Sequence, residues 1–323
     1  MRAEPGLPDK EISITRNRKR PFQPHACPEQ LMSLPDSIRK EYPFKGNHFT
    51  LKNGFKIHYL DEGSQENLPI LFLHGNPTWS FFYRNLISSF KNNFRCIAPD
   101  HLGCGLSEKP SSKEFAYNLE SHSNNLLELL DALEIEKFNL IVHDWGGAIG
   151  LSALRGDFSR INKLVLLNTA SFLSNDVPKR IQLCRIPLIG EFFVRMLNGF
   201  AAPATWMATT KGLSISIKKG FLYPYNDWAN RVAIWNFVKD IPFENNHPTK
   251  QFLQVTETAL TNLSDTPILA CWGMQDFCFH SGFLEQWQKK LPHLQTFTCE
   301  NAGHYLLEDS FDLFQERIKS FLS

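Results

Sequence analysis

Residues Asn139 to Gly150 read NLIVHDWGGAIG. An apolar run closes on Asp144 and small residues follow, the pattern of a buried strand, a sharp turn and a helix start. Such a turn commonly displays a nucleophilic serine. Here the apex holds a carboxylate, and the stretch contains no Ser, Cys or Thr. At a trigonal carbonyl a carboxylate leaves as easily as it arrives. At a saturated carbon it displaces a leaving group in one in-line step and forms an alkyl ester, which splits one hard reaction into two easier ones. Asp144 is therefore a candidate nucleophile for chemistry at sp3 carbon. The plain alternative is a helix cap, an ordinary use of Asp.

Further residues complete a constellation. ENAGHYLLED places His304 after a short strand and before a terminal helix, and PILACWGMQDFCF places Asp276 in the loop after a buried strand. The chain order is acidic nucleophile, orienting acid, histidine. Asn168, after INKLVLL, cannot serve as the acid, and Asp309 sits inside the last helical pattern, so Asp276 is the candidate. His143 adjoins the nucleophile, but neighbours on a strand point to opposite faces, which makes it structural. In LHGNPTWSFFYRNL, His-Gly after a buried strand begins an oxyanion loop. The backbone N–H groups of Asn76 and Trp145 are expected to face the substrate. The Asn76 amide and the Trp145 indole add two side-chain donors. An indole donates and never accepts, which suits an anion in a dry pocket.

The elements that must hold these groups are legible in outline. Short apolar runs, PILFLHG, FRCIAPD, NLIVHD, KLVLLN and PILACWG, end on or next to His74, Asp100, Asp144, Asn168 and Asp276. Helical patterns such as LESHSNNLLELLDALEI separate several of them. Buried strands alternating with helices predict an α/β fold, a mostly parallel sheet with helices on both faces. In such a sheet ligands bind at the carboxyl ends of the strands. HFTLKNGFKIHYLDEG predicts a hairpin turning at Asn53-Gly54. Gly146, Gly147 and Ala148 supply the small residues an elbow needs, whereas Val142 stands where the strand-side pattern has glycine. Residues 46–170 and 251–323 are expected to form the core and residues 1–45 an irregular extension. Residues 171–250, without a clear strand and rich in Phe, Trp and Pro, read as an inserted helical cap that covers the strand ends.

Composition narrows the function classes. The 323 residues are 42% hydrophobic and 21% charged, with a net charge of +1, so nothing calls for nucleic acid or an acidic partner. Seven cysteines, odd in number and without CxxC or CxH spacing, predict reduced thiols in a cytoplasmic protein without a zinc site. The N-terminal residues lack an apolar h-region, and the basic run Arg16 to Arg20 reads as a solvated tail. No run is long enough to span a membrane. The greasy stretch Arg185 to Ala208 is broken by charges and prolines; it reads first as a helix over the active site and second as a membrane-surface patch.

With these pieces in place, the sequence resembles the haloalkane dehalogenases of the α/β-hydrolase superfamily. HGNPTW, DHLGCGLSEKP, VHDWGG, WGMQD and AGHY carry the resemblance, which spans roughly residues 45–323. It implies an α/β-hydrolase fold with Asp144 as nucleophile, His304 as base and Asp276 as its acid. Asn76 and Trp145 would hold the halide. Asp276 together with Asn76 resembles the Asp-His-Asp plus Asn-Trp subfamily, whose relatives include β-lactone decarboxylases of long-chain olefin biosynthesis. The resemblance implies hydrolysis of a haloalkane by water, with no metal or organic cofactor, and β-lactone decarboxylation as the alternative. Either substrate is small and apolar; the oligomeric state is open. Epoxide hydrolases share the Asp elbow and use two cap tyrosines, for which Tyr223 and Tyr225 are candidates, but usually carry Phe where Asn76 stands. A non-catalytic binding protein of the same fold is the remaining class. Phe192, Phe193, Phe200, Trp206, Phe221 and Trp235 are enough to line the extended apolar tunnel a long-chain β-lactone needs, with ordinary packing as the plain alternative.

Overall fold

The structure, a computed structural model, describes residues 34–323 apart from residue 175, together with the backbone of His25–Ala26. The basic run Arg16 to Arg20 lies outside the described residues. The strands are β1 (His25–Ala26), β2 (Asn47–Thr50), β3 (Lys56–Glu62), β4 (Pro69–Leu73), β5 (Arg95–Pro99), β6 (Phe138–Asp144), β7 (Ile161–Thr169), β8 (Ile268–Gly273) and β9 (Gln295–Cys299). They form one sheet in the order β1-β2-β3-β5-β4-β6-β7-β8-β9. From β5 through β4, β6, β7 and β8 to β9 every pairing is parallel, while β1, β2 and β3 add an antiparallel edge.

Strand alternation explains why the central runs are continuously apolar. Leu71, Leu140, Val142, Leu164, Leu166, Ala270 and Trp272 enter one buried cluster. Their sequence neighbours Ile70, Phe72, Ile141, Val165, Leu167, Leu269 and Cys271 enter the other. Each strand therefore feeds a core layer on both faces of the sheet. The helices Leu119–Ala132 and Trp145–Leu154 pack on each other, and the latter also packs on β6.

Two expectations need correction. The hairpin turns where expected, with Gly54 at φ 89°. Yet the strands stop pairing at Thr50 and Lys56, so the loop is longer than a two-residue turn. Backbone bonds from Leu51 N–H to the Phe55 carbonyl and from Gly54 N–H to the Leu51 carbonyl hold it. The segment before residue 46 is not irregular where described. A helix at Asp36–Glu41 packs against the helix Ile215–Leu222 and buries Ile38, while Tyr42 and Phe44 join the core.

Between β7 and β8 the described residues form helices and no strand. The helix Pro248–Ala259 straddles the boundary expected at residue 250 and packs on both core helices named above. The six cysteines among the described residues with assigned burial are free thiols. No helix of the described residues is long and apolar enough to cross a membrane.

Candidate active site

β6 delivers Asp144 to the end of the sheet at φ 51° and ψ −128°, a positive φ unusual for a non-glycine residue. The next residue already belongs to the helix Trp145–Leu154. The turn is possible because Gly146 has no side chain: a Cβ there would collide with the Leu73 carbonyl oxygen of β4. Gly75 is constrained likewise, since a Cβ would strike the Asp144 carboxylate. Val142, fully buried in the core, is accommodated without a glycine, so the close approach falls on the helix side of the turn. Thr169 Oγ1, at the end of the neighbouring β7, donates to the Asp144 carbonyl at 2.5 Å and fixes the strained residue. Beyond the adjacent Trp145 N–H, the Asp144 side chain makes no cap bond into its own helix, which argues against a simple capping role.

The Asp144 carboxylate divides its two oxygens. Oδ1 accepts the Asn76 backbone N–H at 2.6 Å. Oδ2 stands 3.6 Å from His304 Nε2. His304 Nδ1 meets Asp276 Oδ2 at 2.7 Å, and the other Asp276 oxygen accepts the Cys278 backbone N–H at 2.7 Å. All three side chains are buried. Burial raises the Asp144 carboxyl above the ordinary carboxylate range, against the lowering effect of His304 and of the Trp145 and Asn76 backbone N–H groups. For His304, burial pulls the imidazole down, but the Asp276 charge and hydrogen bond, with Asp144 beyond, leave it raised. This arrangement can hold a proton on His304 between two carboxylates, and it leaves one Asp144 oxygen free to attack.

Asn76 and Trp145, the residues expected to donate to an anion, are placed less simply than the residue pattern implies. Asn76 Nδ2 already donates to the Ile234 carbonyl at 3.1 Å, so one amide hydrogen is committed, and Asn76 Oδ1 is buried without a partner. Trp145 is half-buried and packs against Phe237, ring centroids 5.2 Å apart. Ile234 and Phe237 both lie on the helix Val232–Lys239, which thus positions both donors.

Asn76, Asp144, Trp145 and His304 open onto a cavity of about 460 Å3. Its walls come from the loop after β7 (Phe172, Leu173), from the helical insertion (Ile181, Phe193, Phe200, Trp206) and from Val238, Leu253, Phe279 and Phe283. Of the six aromatics that could line a tunnel, Phe193, Phe200 and Trp206 line the cavity. The others do not. Phe192 lies on the exposed surface, Phe221 packs against Phe81 and Tyr305, and Trp235 is buried under Lys239. Neither Tyr223 nor Tyr225 lines the cavity, and the Tyr225 hydroxyl donates to the Thr78 carbonyl at 2.9 Å. Among the described residues no group of three or more His, Cys, Asp or Glu side chains is placed to hold a metal ion.

A family model described as the alpha/beta hydrolase fold matches residues 69–311. The chain belongs to the α/β-hydrolase fold family. Within it, the chain is 40% identical to a cis-3-alkyl-4-alkyloxetan-2-one decarboxylase of Shewanella oneidensis, over 87% of this chain and 89% of that protein. It is 30% identical to a haloalkane dehalogenase of Mycobacterium tuberculosis, over 84% of this chain and 92% of that protein. Among solved structures, a haloalkane dehalogenase of Agrobacterium tumefaciens superposes with a TM-score of 0.78 at 25% identity, covering 89% of this chain and 99% of that one.

Several residues around the site have bracing contacts that the sequence does not specify. Asn168, set aside as a possible acid, is the brace for the acid loop. Its Oδ1 accepts the Gly273 N–H at 2.8 Å, and its Nδ2 donates to the Gly273 and Phe279 carbonyls at 3.1 and 3.3 Å. Its positive φ of 34° is the local signal, but one visible only in the fold. His143 points away from Asp144; its Nε2 donates to the His304 carbonyl at 2.9 Å, and Phe82 stacks on its ring. Burial holds its imidazole neutral, well below the usual histidine range. Asp309 binds the Gly303 N–H at 2.8 Å and the Thr210 N–H at 2.9 Å, tying the histidine loop to the insertion. His74 and Asp100 are buried braces as well. His74 Nδ1 donates to the Gly75 carbonyl, and Asp100 accepts the Ser80 and Leu106 N–H groups and faces His58.

Proposed function

We propose that the chain decarboxylates a cis-3,4-dialkyl β-lactone, yielding an alkene and carbon dioxide. The observation that carries this reading is the cavity: about 460 Å3 of largely apolar space around one free carboxylate oxygen. A short haloalkane, with only a few non-hydrogen atoms, uses little of that wall. A strained ring with two alkyl arms uses far more. The 40% identity to the Shewanella oneidensis decarboxylase, against 30% to the dehalogenase, supports the same order. This reverses the ranking that the residue pattern alone gives.

The chemistry follows from the two oxygens of Asp144. Oδ2 attacks ring carbon C4 in line. The C4–O bond breaks, an Oδ2–C4 ester bond forms, and the ring oxygen leaves as part of a carboxylate. The free hydrogen of the Asn76 amide and the Trp145 indole stabilise that carboxylate as an oxyanion hole does. Next the C3–carboxylate bond breaks, its electron pair forms the C3=C4 bond, and the C4–Oδ2 bond returns its electrons to Asp144. Protonated His304 and the Asn76 and Trp145 backbone N–H groups assist that departure. No water is consumed. Inversion at C4 followed by anti elimination preserves the cis relation of the two arms.

Dehalogenation is the second reading, because the same donors can hold a halide and a neutral His304 can activate water against the ester. The epoxide reading loses its acids, since neither Tyr223 nor Tyr225 lines the cavity. Purified protein is to be given a cis-3,4-dialkyl β-lactone and, separately, a series of 1-bromoalkanes. Cis-alkene formation exceeding bromide release by orders of magnitude in kcat/KM is expected. The reverse ratio overturns the proposal, and a trans alkene overturns the inversion and anti-elimination sequence.

A further inference from the structure

The helical stretch beside the cavity carries its apolar residues on the wrong side for a water-facing surface. Leu188, Ile189, Phe192, Phe193, Met196 and Leu197 recur at spacings of one and four, which places them along one helical face. That face is open: Leu188 is 82% exposed, Ile189 67% and Leu197 61%. The opposite side is already satisfied, with Gly190 and Val194 buried in the fold. Glu191 and Arg195 pair with each other at 2.5 Å, one helical turn apart. An exposed contiguous apolar strip of this kind marks an interaction surface.

Two observations say what meets it. The strip continues into the cavity: Phe193 and Trp206 are exposed, at 43% and 62%, and both line the cavity wall. Arg180, also exposed, stands at the same wall with its guanidinium over the Phe277 ring. Charge is concentrated in the same segment. Residues 176–222 hold seven Lys and Arg against two acidic residues, although the whole chain is only at +1. Lys179, Lys211 and Lys219 are exposed. Exposed apolar side chains in a segment of net positive charge, at the mouth of an apolar cavity, fit the surface of an anionic phospholipid bilayer.

We propose that this segment docks the protein on an anionic membrane surface, so that an apolar substrate enters the cavity from the lipid. The surface would dip into the headgroup region without spanning the bilayer, and the proposal holds whichever reaction Asp144 performs. The test is co-sedimentation of the full chain, without substrate, with phosphatidylcholine vesicles and with vesicles that also contain phosphatidylglycerol. Binding to the mixed vesicles is expected, weaker at high salt and weaker still without the anionic lipid. The double variant Leu188→Asp with Leu197→Asp, neither residue being part of the cavity wall, should lose about tenfold or more of that binding. Its circular dichroism and melting temperature should match the parent. Wild-type protein that stays in the supernatant overturns the proposal. So does a variant that pellets like the parent, which would move binding elsewhere on the chain. Concentration-dependent dimerisation of the parent that the variant abolishes, without vesicle binding, would assign the face to a second copy instead.

Discussion

His304 Nε2 lies 3.6 Å from Asp144 Oδ2, beyond a hydrogen bond, while its Nδ1 is held at 2.7 Å by Asp276. Asp144 Oδ2 therefore has no hydrogen bond to His304, while Asp144 Oδ1 is engaged by the Asn76 N–H at 2.6 Å. Bond formation at Oδ2 needs no rearrangement of the histidine. On the proposed chemistry, removal of the ester afterwards needs the His304 imidazole.

That separation predicts a trapped intermediate. His304→Gln should still be alkylated but should not turn over. With a β-lactone, intact-mass spectrometry should show the mass of the whole lactone added; with a bromoalkane, the mass of the alkyl group. Peptide mapping should place either adduct on Asp144. An adduct on another residue would falsify the nucleophile assignment.

A second prediction concerns the leaving group. Removing one anion-stabilising donor typically slows a reaction by about 100-fold or more. Asn76→Ala should slow the alkylation burst by that order. It also deletes the bond to the Ile234 carbonyl, so the variant should lose about 1 kcal/mol of stability and melt at a modestly lower temperature. Rapid-quench measurement of the first turnover checks this. An unchanged burst would leave Asn76 as a turn residue only.

The parts of this site that sequence reveals are those fixed by local pattern. Asp144, Asp276 and His304 each follow an apolar strand or short run, and strand ends are where a parallel sheet gathers its ligands. Residues whose role depends on long-range geometry are silent. Asn168 braces residues about a hundred positions later, and the Ile234 carbonyl that ties down Asn76 is a backbone atom with no sequence signature. Aromatic richness in the insertion was equally uninformative about direction. Phe193 and Phe192 are neighbours, yet only Phe193 reaches the cavity. On irregular short helices, no single periodicity says which face turns inward.

The histidine titration separates the two reactions. The Asp144 and His304 pKa values are both raised above their ordinary ranges. Decarboxylation needs ionised Asp144 and protonated His304. Its rate should rise as Asp144 loses its proton, then fall as pH climbs through a His304 pKa above the usual value of about 6.5. Hydrolysis of an alkyl ester needs neutral His304, so multiple-turnover bromide release should rise through the same range. A pH–rate profile with each substrate reads this directly. Alkene formation that increases across that range would show His304 acting as a base and would sink its role as an acid.

The last prediction concerns Asp240, at the end of the helix that positions Asn76 and Trp145. Its Oδ2 accepts the Leu119 N–H at 2.8 Å, and its Oδ1 meets Thr249 Oγ1 at 2.6 Å. It thereby clips that helix to the helices starting at Leu119 and Pro248. Burial raises its carboxyl to about 7, against the opposing effect of its two hydrogen bonds. Unfolded, the same group releases its proton near pH 4. Between those values the native state binds more protons than the unfolded state, so stability falls as pH rises, and the loss is complete above the folded pKa. The full difference is on the order of 2–4 kcal/mol. Asp240→Asn mimics the protonated acid, with a carbonyl for Leu119 and an N–H for Thr249. The variant should match the parent at about pH 5 and be more stable at about pH 8, with a flatter dependence of Tm on pH between them. Thermal unfolding across that range measures it. Parallel curves for parent and variant would show that Asp240 titrates near its ordinary value and that the clip is not pH-sensitive.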